Sequence, residues 1–339
     1  MFTKTFKDLT KKDVGIAGGK GASLGEMLNA QVPVPHGFVI LAPAFDKFLI
    51  ESPHPRVKKK YVGKSMGEEN LNVAVQAELD KVDYKDVNSV DRASNVIRDL
   101  IHDALMPKDL EKEILADFKK LKNTPFNKGG VGGFFVAVRS SATAEDSSVA
   151  SWAGELESYL DTTEKMLLEN VKKCWSSLFT PRAIFYRHEK KLLKIKVSVA
   201  VVIQKMIESE ISGITFTVHP VTEDKKQMII EAGWGLGEAI VSGQITPDAY
   251  VLDKRDYSIL DINISKQEIM IIRKPGGGVK TVAVPKAKQE KQVLSGKQII
   301  ELAKICAGIE KHYKKPQDIE WAFAKGKFYI LQSRPITTL

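Results

Sequence analysis

At 339 residues the chain is long enough for one large domain or two lobes with a sizeable core. Its net charge of +9 is mostly lysine dispersed along the sequence. Dispersed lysine favours an anionic ligand or serves solubility, and no aromatic-interleaved basic surface of the nucleic-acid-binding kind is present. Cys174 and Cys306 are far apart and match no metal spacing, so reduced thiols and a cytoplasmic setting are expected. No apolar run reaches the length of a membrane span, and the first residues lack an apolar signal core.

Along the chain, Gly18-Gly19-Lys20-Gly21 reads as a glycine loop leading into a helix over 22–30. Such a junction presents backbone N–H groups and the positive end of a helix dipole, which favour phosphate. Lys20 adds a point charge. The loop lacks the upstream glycine and the hydroxyl of a Walker A motif, and Gly63-Lys64-Ser65 also lacks the upstream glycine. Val32 to Ile40 is an extended connector entering a strand, with His36 structural. Residues 43–123 are mainly helical, broken at Pro53, Pro55 and Pro107, with a solvated basic run at Arg56 to Lys60.

Phe134 to Val138 has the composition of a buried strand and runs into Arg139-Ser140-Ser141-Ala142-Thr143-Ala144-Glu145-Asp146. An arginine at a strand end followed by hydroxyls and acids makes a phosphate and metal edge; the plainer reading is a turn with a helix cap at Ser140 or Ser141. Gly154, in Ser151-Trp152-Ala153-Gly154-Glu155-Leu156-Glu157-Ser158, allows a backbone to approach a phosphate. Helices follow over 163–193, broken at Thr180-Pro181. Val197 to Met206 is a buried strand, where Gln204 and the backbone offer polar groups to an adenine edge. Gly233-Trp234-Gly235-Leu236-Gly237-Glu238 is a second glycine-rich bend without the strand–helix–strand setting of a dinucleotide fold.

The chain closes on a hairpin, Asp318 to Pro335. With a three-residue loop, Ala324-Lys325-Gly326, Asp318 faces Gln332, and Glu320 and Arg334 share that face. Two carboxylates, a carboxamide oxygen and a guanidinium on one surface suit magnesium and phosphate. The plainer alternative is the solvated face of an amphipathic hairpin.

The segments Gly18 to Met27, Val138 to Asp146, Gly233 to Ala239, and Asp318-Ile319-Glu320-Trp321 with Gln332-Ser333-Arg334-Pro335 together resemble the nucleotide-binding domain of the phosphoenolpyruvate synthase and pyruvate phosphate dikinase family, to which rifampicin phosphotransferase is also related. The resemblance covers nearly the whole chain. It implies an α+β, ATP-grasp fold with ATP between two lobes: residues 1–196, with a helical insertion at about 43–123, and residues 197–339. It also implies roles. Lys20, Arg139 and Arg334 would act on the ATP phosphates as the catalytic charges. Gly154 and Ser158 would lie in a glycine lid, Ser158 keeping the hydroxyl of a threonine common in relatives. Gln204 would contact adenine, and Glu320 and Gln332 would bind Mg2+, with Asp318 nearby.

One departure bears on function. The family carries a phosphorylatable histidine in a Thr-x-x-Gly-Gly-x-x-x-His setting on a swivelling domain. None of His36, His54, His102, His188, His219 and His312 sits in such a setting, and the pyruvate-binding barrel is absent as well. The expectation is therefore the ATP-binding module of a dikinase-like phosphotransferase, either excised or from a split enzyme. It would pass the β-phosphoryl group of ATP to a histidine on a separate domain or subunit, and a phosphoenolpyruvate/pyruvate-binding or other acceptor domain would follow. Alternatives are the ATP-binding subunit of a split enzyme with an acceptor such as a phenol, as in phenylphosphate synthase, or a nucleotide-binding regulatory module without turnover. A lysine-driven nucleic-acid binder ranks last, and neither nucleic acid nor membrane is expected as a partner.

Overall fold

Two antiparallel sheets organise the computed structural model, which describes residues 1–52, 70–124, 133–143, 146–147, 150–151, 157–192, 197–274 and 277–336. Gly154, the basic run Arg56 to Lys60 and Gly63-Lys64-Ser65 lie outside the described residues. Mixed helix and sheet make the chain α+β. Contacts divide it into two compact units, Met1–Gly25 with His36–Lys205, and Glu26–Pro35 with Met206–Leu339.

The first unit holds β1 (Thr3–Thr5), most of α1 (Val14–Asn29), β2 (Gly37–Ile40) and α2 (Ala42–Glu51). Three further helices follow, α3 (Leu71–Leu79), α4 (Val87–Asp103) and α5 (Lys108–Lys122). Then come β3 (Val136–Ala142), the short strands β4 (Asp146–Ser147) and β5 (Ala150–Ser151), β6 (Ser158–Thr162), α6 (Leu167–Ser176), α7 (Pro181–Glu189) and β7 (Val199–Lys205). Local chemistry sets the helix starts. Asn70 accepts from the Val73 N–H at 3.1 Å, and Asp86 from the Asn88 N–H at 3.0 Å. Thr180 accepts from the Ala183 N–H with Pro181 in the first turn.

The five strands run in the order β1-β2-β7-β3-β6, every pairing antiparallel. Alternation then sorts the side chains by face. Val136, Val138, Val199, Val201, Ile203, Phe38 and Ile40 enter one core with the helices, where Trp175 packs against Phe45 and Phe48 at 5.6 and 4.9 Å. Burial of each such side chain stabilises the unit by about 1.5–3 kcal/mol. The opposite face carries Ala137, Arg139 and Ser141 of β3 beside Gln204, Val202 and Ala200 of β7.

The second unit is built on β8 (Ile211–Phe216), β9 (Gln227–Trp234), the one-turn helix α8 (Glu238–Val241), β10 (Asp248–Asp253) and β11 (Ile259–Asn263). A separate ribbon, β12 (Ile269–Arg273) with β13 (Val279–Ala283), precedes α9 (Gly296–Tyr313) and the closing hairpin of β14 (Gln317–Ala324) and β15 (Lys327–Pro335). The main sheet runs β11-β10-β9-β8-β14-β15. Ser295 and Gln298 form a capping box at the start of α9, which buries Ile299, Leu302, Cys306 and Ile309. Met228, Ile230, Tyr250, Leu252, Ile319 and Trp321 are buried on one face of the sheet. Trp321 lies across Gly213, where an added Cβ would stand 2.4 Å from the indole and 1.9 Å from the Glu231 carbonyl.

Two local expectations are corrected. The glycines of 18–21 are not a loop before the helix. α1 already starts at Val14 and is broken only at Gly18, whose φ of 68° and ψ of 171° are open to glycine because it has no Cβ. Ser140 and Ser141 are not helix caps either. Both lie inside β3 and are buried, at 1% and 0% exposure.

Candidate nucleotide and metal-binding site

In the first unit the break at Gly18 docks α1 onto β3. The Ser141 hydroxyl donates to the Ala17 carbonyl at 3.0 Å and accepts from the Gly21 N–H at 3.3 Å. A Cβ at Gly18 would fall 2.2 Å from the Ser141 Oγ, so close approach requires glycine there. The helix resumes at Gly19, and Lys20 sits in its first turn, beside backbone N–H groups that intrahelical bonds leave over. Burial pushes the Cys174 thiol up, the Glu157 carboxylate adds to the rise, and the Lys20 charge acts against it. The Cys174 Sγ itself lies 3.6 Å from the Val138 carbonyl.

Arg139 follows Val138 and is paired across the sheet with Val202 on one side and Ser158 on the other. Arg139, Ser158 and Ser141, the serine that holds the glycine segment, therefore share a face. Gln204 is on this face too, set between Ala137 and Gly37. It is 3% exposed, and its carboxamide Nε2 has no hydrogen-bond partner. A buried amide N–H left over in this way fits a ligand acceptor such as an adenine ring nitrogen.

In the second unit Asp318 stands opposite Arg334, and Glu320 opposite Gln332. The four side chains share a face, but the turn differs from the three-residue loop expected. Ala324 pairs with Lys327, leaving the two residues Lys325 and Gly326, with φ of 51° and 74°, in a hairpin turn of the I′ kind. A bulge then places Leu331 between the Glu320–Gln332 and Trp321–Ile330 pairs. The extra residue turns the strand over by one position and returns Gln332 to the face of Glu320.

The Arg334 Nε donates to the Asp318 Oδ2 at 2.8 Å, with a terminal guanidinium nitrogen 2.7 Å from the same oxygen. Gln332 is 8% exposed and its Oε1 accepts no hydrogen bond. Sequence reasoning missed Glu231. It lies across β8 from Glu320, since Ile214 pairs with both. Burial, then the Asp318 charge, raises the Glu231 pKa. Burial also raises Asp318; Arg334 draws it back, and Glu320 adds to the rise. The available signal was the alternation of β9, in which Glu231 falls between buried Ile230 and Ala232.

Among the described residues no group of three or more His, Cys, Asp or Glu side chains is arranged to hold a metal ion unaided. Magnesium does not ask for one: it commonly takes one or two protein oxygens and completes its shell with water and substrate phosphate. The unsatisfied Gln332 oxygen beside the Glu320 carboxylate fits that pattern. Cys174 and Cys306 are buried free thiols, Cys306 pushed up to about 12 by burial, so neither is a ready nucleophile.

A polar and basic sheet face in one unit and an acidic, carboxamide-bearing face in the other are the chemistry of a nucleotide-binding protein. The chain belongs to the pyruvate phosphate dikinase AMP/ATP-binding domain family, whose sequence profile matches residues 14–339. It is 45% identical over 339 residues to a probable phosphoenolpyruvate synthase of Methanocaldococcus jannaschii, covering 100% of this chain and 27% of that protein. With the phosphoenolpyruvate synthase of Pyrococcus furiosus it shares 44% identity over 365 aligned positions, covering 100% of this chain and 44% of the relative. With rifampicin phosphotransferase of Bacillus subtilis the identity is 35% over 334 residues, 98% of this chain and 35% of the relative. The chain thus spans less than half the length of each of these relatives. Among the described residues no helix is long and apolar enough to cross a membrane.

Proposed function

We propose that this chain is the ATP-binding module of a phosphoenolpyruvate synthase-like dikinase with an ATP-grasp fold. It passes the β-phosphoryl group of ATP to a histidine on a separate domain or subunit, with release of AMP and phosphate. The observation that carries this reading is the pairing of Glu320 with Gln332, whose buried Oε1 lacks a partner. These two oxygens hold Mg2+, which neutralises phosphate charge when bound. Arg334, oriented by Asp318, and Lys20 and Arg139 bind phosphate oxygens and stabilise the charge that grows during transfer. Gln204 binds adenine through its spare N–H. Ser158, opposite Arg139, adds a hydroxyl donor, and Gly154 belongs to the same phosphate-covering segment. No general base is needed from this chain, because phosphoryl transfer depends chiefly on positioning and charge.

The test combines binding and transfer. Titration calorimetry is expected to show ATP binding that requires magnesium. ATP labelled at the β-phosphate, mixed with a polypeptide carrying the histidine domain, is expected to label that histidine and yield AMP. Glu320→Ala and Arg139→Ala are each expected to abolish labelling. Undiminished labelling in either variant overturns the site.

A further inference from the structure

The strand that carries Ser158 stands at the edge of its sheet. β6 pairs with β3 alone, and that register is interrupted between Val136 and Val138. Its far end is tied to α6, where the Asn170 Nδ2 donates to the Thr162 hydroxyl at 2.8 Å. At its near end the Glu157 carbonyl accepts from the Ser140 N–H at 3.2 Å and from the Ser140 hydroxyl at 2.6 Å. Both of these bonds meet at one oxygen, so by themselves they leave the chain free to pivot about it.

The Glu157 side chain removes that freedom. Its carboxylate accepts from an Arg98 guanidinium nitrogen of α4 at 2.9 Å and from the Tyr159 hydroxyl. Burial raises the Tyr159 pKa and the bond to Glu157 adds to the rise, so the phenol stays a donor. The Lys173 Nζ of α6 lies 5.8 Å from the centre of the Tyr159 ring and steadies it from the helix side. Alternation turns Glu157 and Tyr159 toward the helices, with Tyr159 opposite Val138 of the core, and leaves Ser158 between them on the face of Arg139. The Arg98 and Glu157 side chains are 27% and 30% exposed, and an ion pair so open to solvent adds little to folding stability. What these contacts fix is the direction of the residue between them.

Given the ATP-binding reading above, we propose that Glu157, clamped by Arg98 and Tyr159, is a positioning residue for phosphoryl transfer. It aims the Ser158 hydroxyl, and with it the cross-strand neighbour Arg139, at the phosphate. Aim matters most as charge develops on the transferring group, so loosening the clamp slows transfer more than it weakens ATP binding.

The test measures ATP binding by the chain and the rate at which ATP labelled at the β-phosphate labels the histidine polypeptide. Arg98→Met is expected to slow labelling by about tenfold or more, with ATP affinity within about threefold of the unaltered chain and the thermal midpoint nearly unchanged. Arg98→Lys, which keeps a charged donor, is expected to recover part of the rate. Ser158→Ala is expected to make Arg98→Met silent, so that the double variant is no slower than Ser158→Ala alone. Tyr159→Phe keeps the ring and removes the hydroxyl; it is expected to behave as Arg98→Met does and gives the reading should Arg98→Met fail to fold. Unchanged labelling in Arg98→Met, additive losses in the double variant, or a fallen midpoint with the rate intact overturns the proposal and leaves the ATP-binding reading standing. An unaltered chain that neither binds ATP nor labels the histidine overturns both.

Discussion

Glu320 and Gln332 face each other directly across β14 and β15, and the Gln332 Oε1 has no hydrogen bond although the residue is 8% exposed. A buried carboxamide oxygen left unsatisfied costs about 1–3 kcal/mol. Fold stability alone gives no reason to retain it, whereas an oxygen-seeking cation does. Replacing Gln332 with a leucine of similar volume is therefore expected to keep or raise the thermal midpoint while magnesium-dependent ATP affinity falls by on the order of tenfold to a hundredfold. Paired thermal melts and calorimetric titrations check both halves. Loss of stability with affinity intact would point to a structural role for the amide.

The Ser141 hydroxyl holds the glycine segment by two contacts, to the Ala17 carbonyl and from the Gly21 N–H. Ser141→Ala leaves both groups without that partner and is expected to destabilise the chain by about 1–3 kcal/mol. It is also expected to weaken ATP binding, because Lys20 lies between the two anchored residues. Gly18→Ala is expected to be more damaging, since the new methyl would meet the Ser141 carbonyl oxygen at 2.3 Å at a φ of 68°. Denaturant midpoints rank the two variants.

What the sequence revealed and what it hid divide along physical lines. The closing hairpin was legible because β-branched and aromatic residues alternate with polar ones in it. Its turn was not. Lysine is a poor marker of left-handed backbone, so Lys325 at φ 51° gives no signal. A bulge at Leu331 has no compositional signature either. The parity change of the shorter loop and that of the bulge cancel, so the shared face was reached from a wrong register. Gly18 announced a break, but a helix on both sides of it was hidden by the glycine content of 15–21. Ser141 looked like a cap because its burial under α1 depends on residues more than a hundred positions away, and Ser140 because its partner, the Glu157 carbonyl, is brought to it only by the pairing of the sheet. Glu231 required the order of the sheet, since only Ile214 between them brings it beside Glu320.

The acidic face predicts a pH dependence. Burial raises Glu231 and Asp318 above ordinary carboxylate values. Between the unfolded and folded pKa values the folded chain holds protons that the unfolded chain has released. The stability these groups contribute is thus complete below the ordinary carboxylate range and lost as pH rises through the raised values. At neutral pH Glu231→Gln is expected to stabilise the ligand-free chain by a few tenths of a kcal/mol, allowing for solvent screening. The difference is expected to close in acid. Magnesium with ATP is expected to narrow it at neutral pH by supplying the missing positive charge. Melting curves across pH, with and without magnesium and ATP, test the sign.

The hairpin register makes a prediction of its own. With a two-residue turn and a bulge, removing Leu331 leaves Ile330 opposite Trp321 and brings Gln332 next in line, still opposite Glu320. The deletion is therefore expected to preserve magnesium-dependent ATP binding to within about tenfold, at the cost of some strand twist. With a three-residue turn and no bulge, the same deletion would move Gln332 and Arg334 to the other face and abolish binding. Lys325→Asn supplies the matching control. Asparagine accepts left-handed backbone more readily than lysine and makes the favoured Asn-Gly turn, so the thermal midpoint is expected to rise with ATP affinity unchanged. The Lys325 N–H, which donates to the Glu210 carboxylate at 2.9 Å, survives the change. A midpoint that falls in Lys325→Asn, or binding that vanishes on deleting Leu331, would exclude the two-residue turn.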